Sequence, residues 1–471
     1  MKGNEFVKHI SNVAYGSTLK VVSRINSVNC KEWEAEKQLF EGNSKLLKSQ
    51  KAVRFYVEDK NPSYNLHHYH IGHIDFRPKM ESICDAYLPV PPQNNFYVTC
   101  KKSFKSDDPF NPTILTVPYK TPNPKLSLCS PPTIWILLRI LSSELSKEYI
   151  SMREILDSLP QGSTLSPISS DSYRDLCIKH KLSPYFYIGT RMKKFYETIE
   201  KEIESRNNDY LLQSLYDSLR NYSGDSESFI MNSDLLYSYI ESEIPVFLTF
   251  KAEDLGEELN YNGEPVDEYH SVVAIGHTLD DNGNVPEFII HDVSYSPFVK
   301  ISRNFIDEKL VDAMVVLPED IMIRFEHLMS HNFSSELFGK IVKQILPLFS
   351  SEEIDILFSS GKIQIRPFLM SSQRIKFWFT NKYIYENDVC DLYSKADFPK
   401  YVWFFELRNP ELSDNYKCSG HFVFDATMDS SFKSLVLVNL PTFRLWYRNG
   451  RIYSRSFDEP SFSSLKIFRS P

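Results

Sequence analysis

The sequence predicts an α+β protein: one buried helix packed on an antiparallel sheet, followed by an additional C-terminal α+β module. Three observations lead there. A cysteine stands just before Ser130-Pro131-Pro132 and an apolar run that reaches Leu141, with Arg139 its only charge. Proline is tolerated in the first turn of a helix, and a helix apolar on every side runs through a core. Two strand-like runs, 269–276 and 288–293, flank Asn282-Gly283, a strong hairpin signal. Finally, 471 residues at 42% hydrophobic content exceed one ordinary core, so two or three packed units are expected.

Taken in order, residues 1–118 read as an α+β region packed on the core. Strands are expected over 19–25, 52–57, 95–99 and 113–117, with a charged amphipathic helix over 31–50. His67, His68, His70 and His73, with Asp75, raise a metal reading, because alternate histidines on a strand share one face. The same run merges into the strand 72–78, so plain structure is the better reading and no metal is expected. Residues 119–318 form the expected catalytic core. Within it, 150–240 reads as mainly helical, with a charged stretch from Arg191 and apolar helical spacing at Leu211, Leu212, Leu215 and Leu219. The stretch from Lys251 to Tyr269 reads as an acidic loop, with seven Asp and Glu against one Lys; an ordinary exposed loop is the better reading, beside one in which its charge would favour a cationic imidazole or select basic substrates. Residues 319–471 form the expected accessory module. Its helices are placed at 338–346 and 352–358, and aromatic strands at 375–380, 401–407, 421–425 and 434–439. Cys418, His421 and Asp425 are a poor rival triad, since a strand would hold His421 and Asp425 roughly 13 Å apart.

The chemistry concentrates at three residues. Cys129 sits at a helix N-terminus, where the positive pole and the free N–H groups of the first turn favour thiolate over thiol. His270 opens one strand of the predicted hairpin and Asp292 ends the other. A hairpin centred on residue 281 pairs the two directly, with Cβ atoms about 5 Å apart. A carboxylate on one ring nitrogen orients the other toward a nucleophile and stabilises the imidazolium.

The order Cys-helix, His-strand, Asp-strand resembles the papain-like cysteine peptidases, in particular a bacterial group similar to the C39-like peptidases. The strand-like run 244–248 just before the His strand fits that resemblance. So do an upstream Gly72–Pro78 segment, with Arg77 before the proline, and the C-terminal 401–405 and Asp425-Ala426-Thr427 segments. It covers roughly residues 120–317, with looser echoes elsewhere. The resemblance implies a papain-like fold and a triad of Cys129, His270 and Asp292. It also implies a cysteine hydrolase that cleaves a peptide or isopeptide bond through a thioester. Such enzymes carry a Gln about six residues before the nucleophile to help hold the oxyanion. Here position 123 is Asn, so Asn123 is the candidate for that role, beside the backbone N–H of Cys129. Ser130 stands where glycine is frequent in the group. These departures keep an inert papain-fold binding module open, and a thiol acyltransferase of transglutaminase type shares the same triad.

Composition excludes other classes. The net charge of −8 and the lack of a Lys/Arg-dense stripe speak against nucleic acid as a partner. No apolar run approaches the ~20 residues of a membrane helix, and the first residues have no apolar export segment. Seven scattered cysteines without a Cys-x-x-Cys point to a reduced, cytoplasmic setting and no structural zinc. The expected partner is a protein or peptide substrate, with a further protein contact through the C-terminal module and no cofactor.

Overall fold

The computed structural model describes residues 19–37, 50–59, 70–78, 82–91, 95–105, 113–122, 128–141, 150–159, 173–205, 230–261, 268–280, 284–324, 326, 328, 364–379, 387–408, 418–429, 434–439, 443–449 and 451–456. The chain divides into two units, Met1–Pro318 and Glu319–Pro471. It is mixed α+β, and among the described residues its sheets are antiparallel apart from one short parallel pair.

The first unit begins with β1 (Leu19–Val28), α1 (Lys31–Lys37), β2 (Ala52–Asp59), β3 (His70–Phe76) and β4 (Ile83–Pro89), then β5 (Phe96–Val98), β6 (Lys102–Lys105) and β7 (Thr113–Tyr119). These make a six-stranded sheet in the order β1-β2-β3-β4-β7-β6, while β5 leaves it to join the second sheet. Helix α2 (Ser130–Leu141) follows, with α3 (Met152–Asp157) and α4 (Arg174–Lys179) after it. The second sheet is then laid down by β8 (Leu182–Gly189), α5 (Thr190–Ser205), β9 (Ile230–Met231), α6 (Ser233–Glu241), β10 (Val246–Lys251), α7 (Ala252–Glu258), β11 (Tyr269–Thr278), β12 (Glu287–His291), β13 (Val299–Ser302), α8 (Arg303–Lys309) and β14 (Asp312–Pro318). Its order is β13-β12-β11-β10-β14-β8-β9, with β5 added beside β11.

Helix α2 is buried along its whole length except at Arg139. Its side chains share one core with Ile74, Leu88 and Val117 of the first sheet and Phe247, Val273, Ile275 and Met314 of the second. Each such aliphatic or aromatic side chain contributes about 1.5–3 kcal/mol by leaving water. The one charge stays because it is satisfied: Arg139 Nε donates to Tyr87 Oη at 2.7 Å, and its guanidinium lies over the Tyr87 and Trp135 rings. Close approach also shapes the sheet. A Cβ on Gly276 would lie 2.3 Å from the Tyr97 carbonyl oxygen, so only glycine lets β5 pair with β11 there.

The described part of 150–240 is mainly helical, as expected, but it also holds β8, a full strand in register with β14 from Leu182 to Ile188. Pro184 disguises it, and pairing with β14 is decided more than a hundred residues further along the chain. The acidic stretch after Lys251 is not all loop. Its first part is α7, where Asp254 is buried and bonded to Arg191 and, at 2.9 Å, to Lys309. That carboxylate is neutralised internally rather than offered to a substrate. The leucines at 211–219 lie outside the described residues.

The second unit is an antiparallel meander, β15 (Gln364–Ser371), β16 (Tyr401–Arg408), β17 (Cys418–Asp425), β18 (Leu435–Asn439), β19 (Phe443–Arg448) and β20 (Arg451–Ser456), with neighbours paired in chain order. Helices α9 (Ser372–Phe379) and α10 (Asn387–Lys395) connect β15 to β16 and cover the sheet, with Ile375, Phe379, Val389 and Tyr393 against Phe404, Val423 and Leu437. The strand expected over 375–380 is therefore a helix. Ser371 Oγ accepts the Arg374 N–H at 3.2 Å, starting the turn, and Ile375 and Phe379 are buried while Phe377 is 79% exposed. A strand would have turned all three to one face; the burial is four residues apart, as a helix requires. The helices expected at 338–346 and 352–358 lie outside the described residues. His421 is buried on the Phe379 and Phe404 rings and bonded through Nδ1 to Tyr393 Oη at 2.9 Å, which is a packing role.

Candidate active site

Cys129 immediately precedes α2 and is partly exposed. Its carbonyl accepts the first helical hydrogen bond, from Thr133 N–H at 3.2 Å, so it occupies the N-cap position. In most helices the N-cap side chain accepts from the N–H two or three residues on. Here those positions are Pro131 and Pro132, which have no N–H. The expectation that first-turn N–H groups hold the thiolate is thus corrected. Proline removes the donors, and the sulfur is left for partners outside the helix. Thr133 Oγ1 lies 2.8 Å from the Cys129 carbonyl and 3.1 Å from the Ser271 carbonyl, which pins the cysteine to the start of β11. Behind it, the buried Tyr173 donates its hydroxyl proton to Ser130 Oγ at 2.9 Å.

His270 is the second residue of β11, and β10 holds it by pairing Phe250 opposite. Its Nε2 lies 2.9 Å from Asp292 Oδ1. The two meet by a different route from the one the hairpin arithmetic predicts. Val273 faces His291, which centres the hairpin on residue 282, and a bulge interrupts it between Ala274 and Gly276. Asp292 lies just beyond the end of β12. A tight turn there brings the carboxylate back: Oδ1 also accepts the N–H groups of Ser294 at 2.8 Å and Tyr295 at 3.0 Å, and Asp292 N–H donates to Ser296 O at 3.1 Å. Tyr119, the last residue of β7, donates to the Asp292 carbonyl at 2.9 Å and ties the turn to the first sheet.

The electrostatics follow from this geometry. Burial disfavours charge on the Cys129 thiol, but the hydrogen bond to His270, the imidazolium charge and the Ser271 N–H outweigh it and hold the thiol below its ordinary value. Burial likewise disfavours the imidazolium; the Asp292 charge and hydrogen bond, then Cys129, reverse that and raise His270 well above the usual range. Asp292 is pushed up by burial and brought below the usual carboxylate range by His270 and the Ser294 and Tyr295 N–H groups. With Nε2 taken by Asp292, Nδ1 is the ring nitrogen left for the thiol. The arrangement is able to carry a thiolate, a mobile proton and a fixed counter-charge in a line.

Of the four residues singled out from sequence, the structure brings Cys129, His270 and Asp292 together. Asn123 lies outside the described residues. Sequence reasoning missed Tyr119, Tyr173, Thr133 and the Ser294–Tyr295 amides. Only the Asp-x-Ser spacing, typical of a side chain that caps its own turn, carried a local signal. In the metal reading, His67 and His68 lie outside the described residues. His73 is buried beside the Tyr87 ring, its pKa pushed down to about 4 by burial, and among the described residues it joins no cluster of ligands. No helix among the described residues is long and apolar enough to cross a membrane. Comparison of the chain with protein-family models, with curated proteins and with solved structures finds no match in any of the three.

Proposed function

We propose that the first unit is a papain-like cysteine hydrolase in which Cys129 is the nucleophile, His270 the proton carrier and Asp292 the residue that orients it. The observation that carries this reading is the imidazole itself, bonded through Nε2 to a buried carboxylate at 2.9 Å and acting on the Cys129 thiol at a helix N-terminus, which it holds below its ordinary value against burial. In the resting state the proton resides on His270 and Cys129 is the thiolate. The thiolate attacks a carbonyl carbon, and the oxyanion forms beside the Cys129 N–H at the helix start. His270 gives its Nδ1 proton to the leaving amine as the C–N bond breaks, and a thioester remains on Cys129. Water then loses a proton to His270 and attacks the thioester; the carboxylic acid leaves and the thiolate–imidazolium pair is restored. A carbonyl with an amine leaving group describes a peptide or isopeptide substrate.

The test is the pH dependence of iodoacetamide alkylation at Cys129, read by mass spectrometry, in the unmodified protein and in His270→Ala. The proposal expects fast labelling well below pH ~8 that the substitution slows. Labelling that titrates near the free-thiol value of ~8.5 whether or not His270 is present refutes it and leaves an inert binding module.

A further inference from the structure

A second pair of cysteines lies far from Cys129. Cys30, in the turn between β1 and α1, and Cys84, in β4, are separated by 54 residues, yet their sulfurs are 3.6 Å apart. Both are buried, at 2% and 0% exposure, and with Trp33 and Ala52 they form a small core of their own. The Cys84 thiol lies 3.3 Å from the Asp75 carbonyl, so it donates there and Cys30 donates to the Cys84 sulfur. Around them is a closed set of charges. Arg77 makes a two-point bond to Glu36 at 2.7 and 3.0 Å. Lys120 is bonded to Glu36 at 2.6 Å, to Glu32 at 3.4 Å and to the Cys84 carbonyl. Burial and the neighbouring Cys30 sulfur hold the Cys84 thiol well above its ordinary value, with Arg77 and Lys120 pulling the other way.

We propose that Cys30 and Cys84 are a dithiol–disulfide couple, a modification site that locks the start of α1 to β4 when the protein meets peroxide. A disulfide requires sulfurs at about 2.05 Å, so rotation about the two Cα–Cβ bonds must close the remaining gap. The chemistry balances in two steps. One thiolate attacks a peroxide oxygen, giving a sulfenic acid and releasing the other oxygen as water once protonated. The second sulfur attacks the sulfenic sulfur, forming the S–S bond and expelling a second water. Two thiols and one hydrogen peroxide thus become one disulfide and two waters. The same sulfurs do not make a convincing metal site. Among the described residues Cys30, Asp75 and Asp85 converge, but both Asp75 oxygens are held by Arg54 at 2.7 and 2.8 Å.

The experiment uses the full chain carrying Cys129→Ser, so that the candidate nucleophile takes up no oxidant. The folded protein is treated with hydrogen peroxide, remaining thiols are alkylated, and peptides are mapped without reduction. The expected result is a linked Cys30–Cys84 peptide as the principal disulfide, reversed by dithiothreitol and accompanied by a rise in melting temperature. In Cys30→Ser the linked peptide disappears, and Cys84 is trapped by dimedone as the sulfenic acid. Failure of the linked peptide to form in the folded protein overturns the proposal, as does its appearance only in denaturant. Protection of both thiols that a chelator abolishes overturns it in favour of a metal ion.

Discussion

Asp292→Asn removes a charge while keeping a shape. The single oxygen Oδ1 accepts from His270 Nε2 at 2.9 Å, Ser294 N–H at 2.8 Å and Tyr295 N–H at 3.0 Å, and an asparagine carbonyl can accept all three. What is lost is the carboxylate charge on the imidazolium, the largest influence raising His270 against burial. A hydrogen bond to a charged group is worth about 1.5–3 kcal/mol net. Its loss should bring His270 down toward its ordinary range and weaken the imidazolium by roughly ten- to a hundredfold, at about 1.4 kcal/mol per factor of ten. The thiolate–imidazolium pair exists between the depressed thiol value and the raised imidazole value. The substitution therefore lowers its upper limit and, by weakening the imidazolium, raises its lower one. The field of Asp292 on the thiol acts the other way, but it is the weakest of the influences on Cys129. Iodoacetamide labelling of Cys129, measured as a rate against pH, should show the thiolate limb displaced upward and the rate near pH 6 reduced by about tenfold. An unchanged profile in a variant that melts like the parent would refute the idea that the carboxylate charge sets the pair, and would leave Asp292 a turn residue.

Three further outcomes are expected. Tyr119→Phe leaves the buried Asp292 carbonyl without its 2.9 Å donor and should cost about 1–3 kcal/mol in urea denaturation. Lys120→Met takes the cation from the buried Glu32 and leaves Glu36 to Arg77 alone; it should cost about 3–5 kcal/mol, seen as loss of soluble protein or a large fall in urea midpoint. The acid limb of stability should have two stages. Burial holds His73 and His291 near 4 and 3, so the unfolded chain takes up these protons first; their contribution is full above ~6.5 and falls as pH drops below it. Burial raises Glu36, but Arg77 and Lys120 bring it down to about 2, so its contribution is present above ~4.3 and lost as pH falls toward 2. The raised His270 has the opposite sign, contributing below ~6.5 and fading as pH rises through its folded value. Urea midpoints measured from pH 8 to 3 check the two acid stages; a single transition confined below ~4.3 would remove the histidines from the account.

The sequence by itself determined the elements whose signals are local. Pro131-Pro132 followed by an unbroken apolar run specifies a buried helix with Cys129 at its start, because proline geometry and apolar content act within a turn or two. The β-branched runs around His270 and Asp292 specify paired strands for the same reason. The tertiary structure decided what depends on distant neighbours. Whether β8 is a strand rests on β14, and whether 375–379 winds or extends rests on which of its aromatic residues finds the core under β16 and β17. Pairing in the hairpin is shifted by two residues from the predicted register, with Val273 rather than Ser271 opposite His291, and Asp292 reached His270 only because its own turn folded back. Glu32 and Glu36 read in the sequence as part of a charged amphipathic helix, yet they are buried together with Lys120. Desolvation and pairing are properties of what surrounds a side chain in space, and one-dimensional periodicity does not carry them.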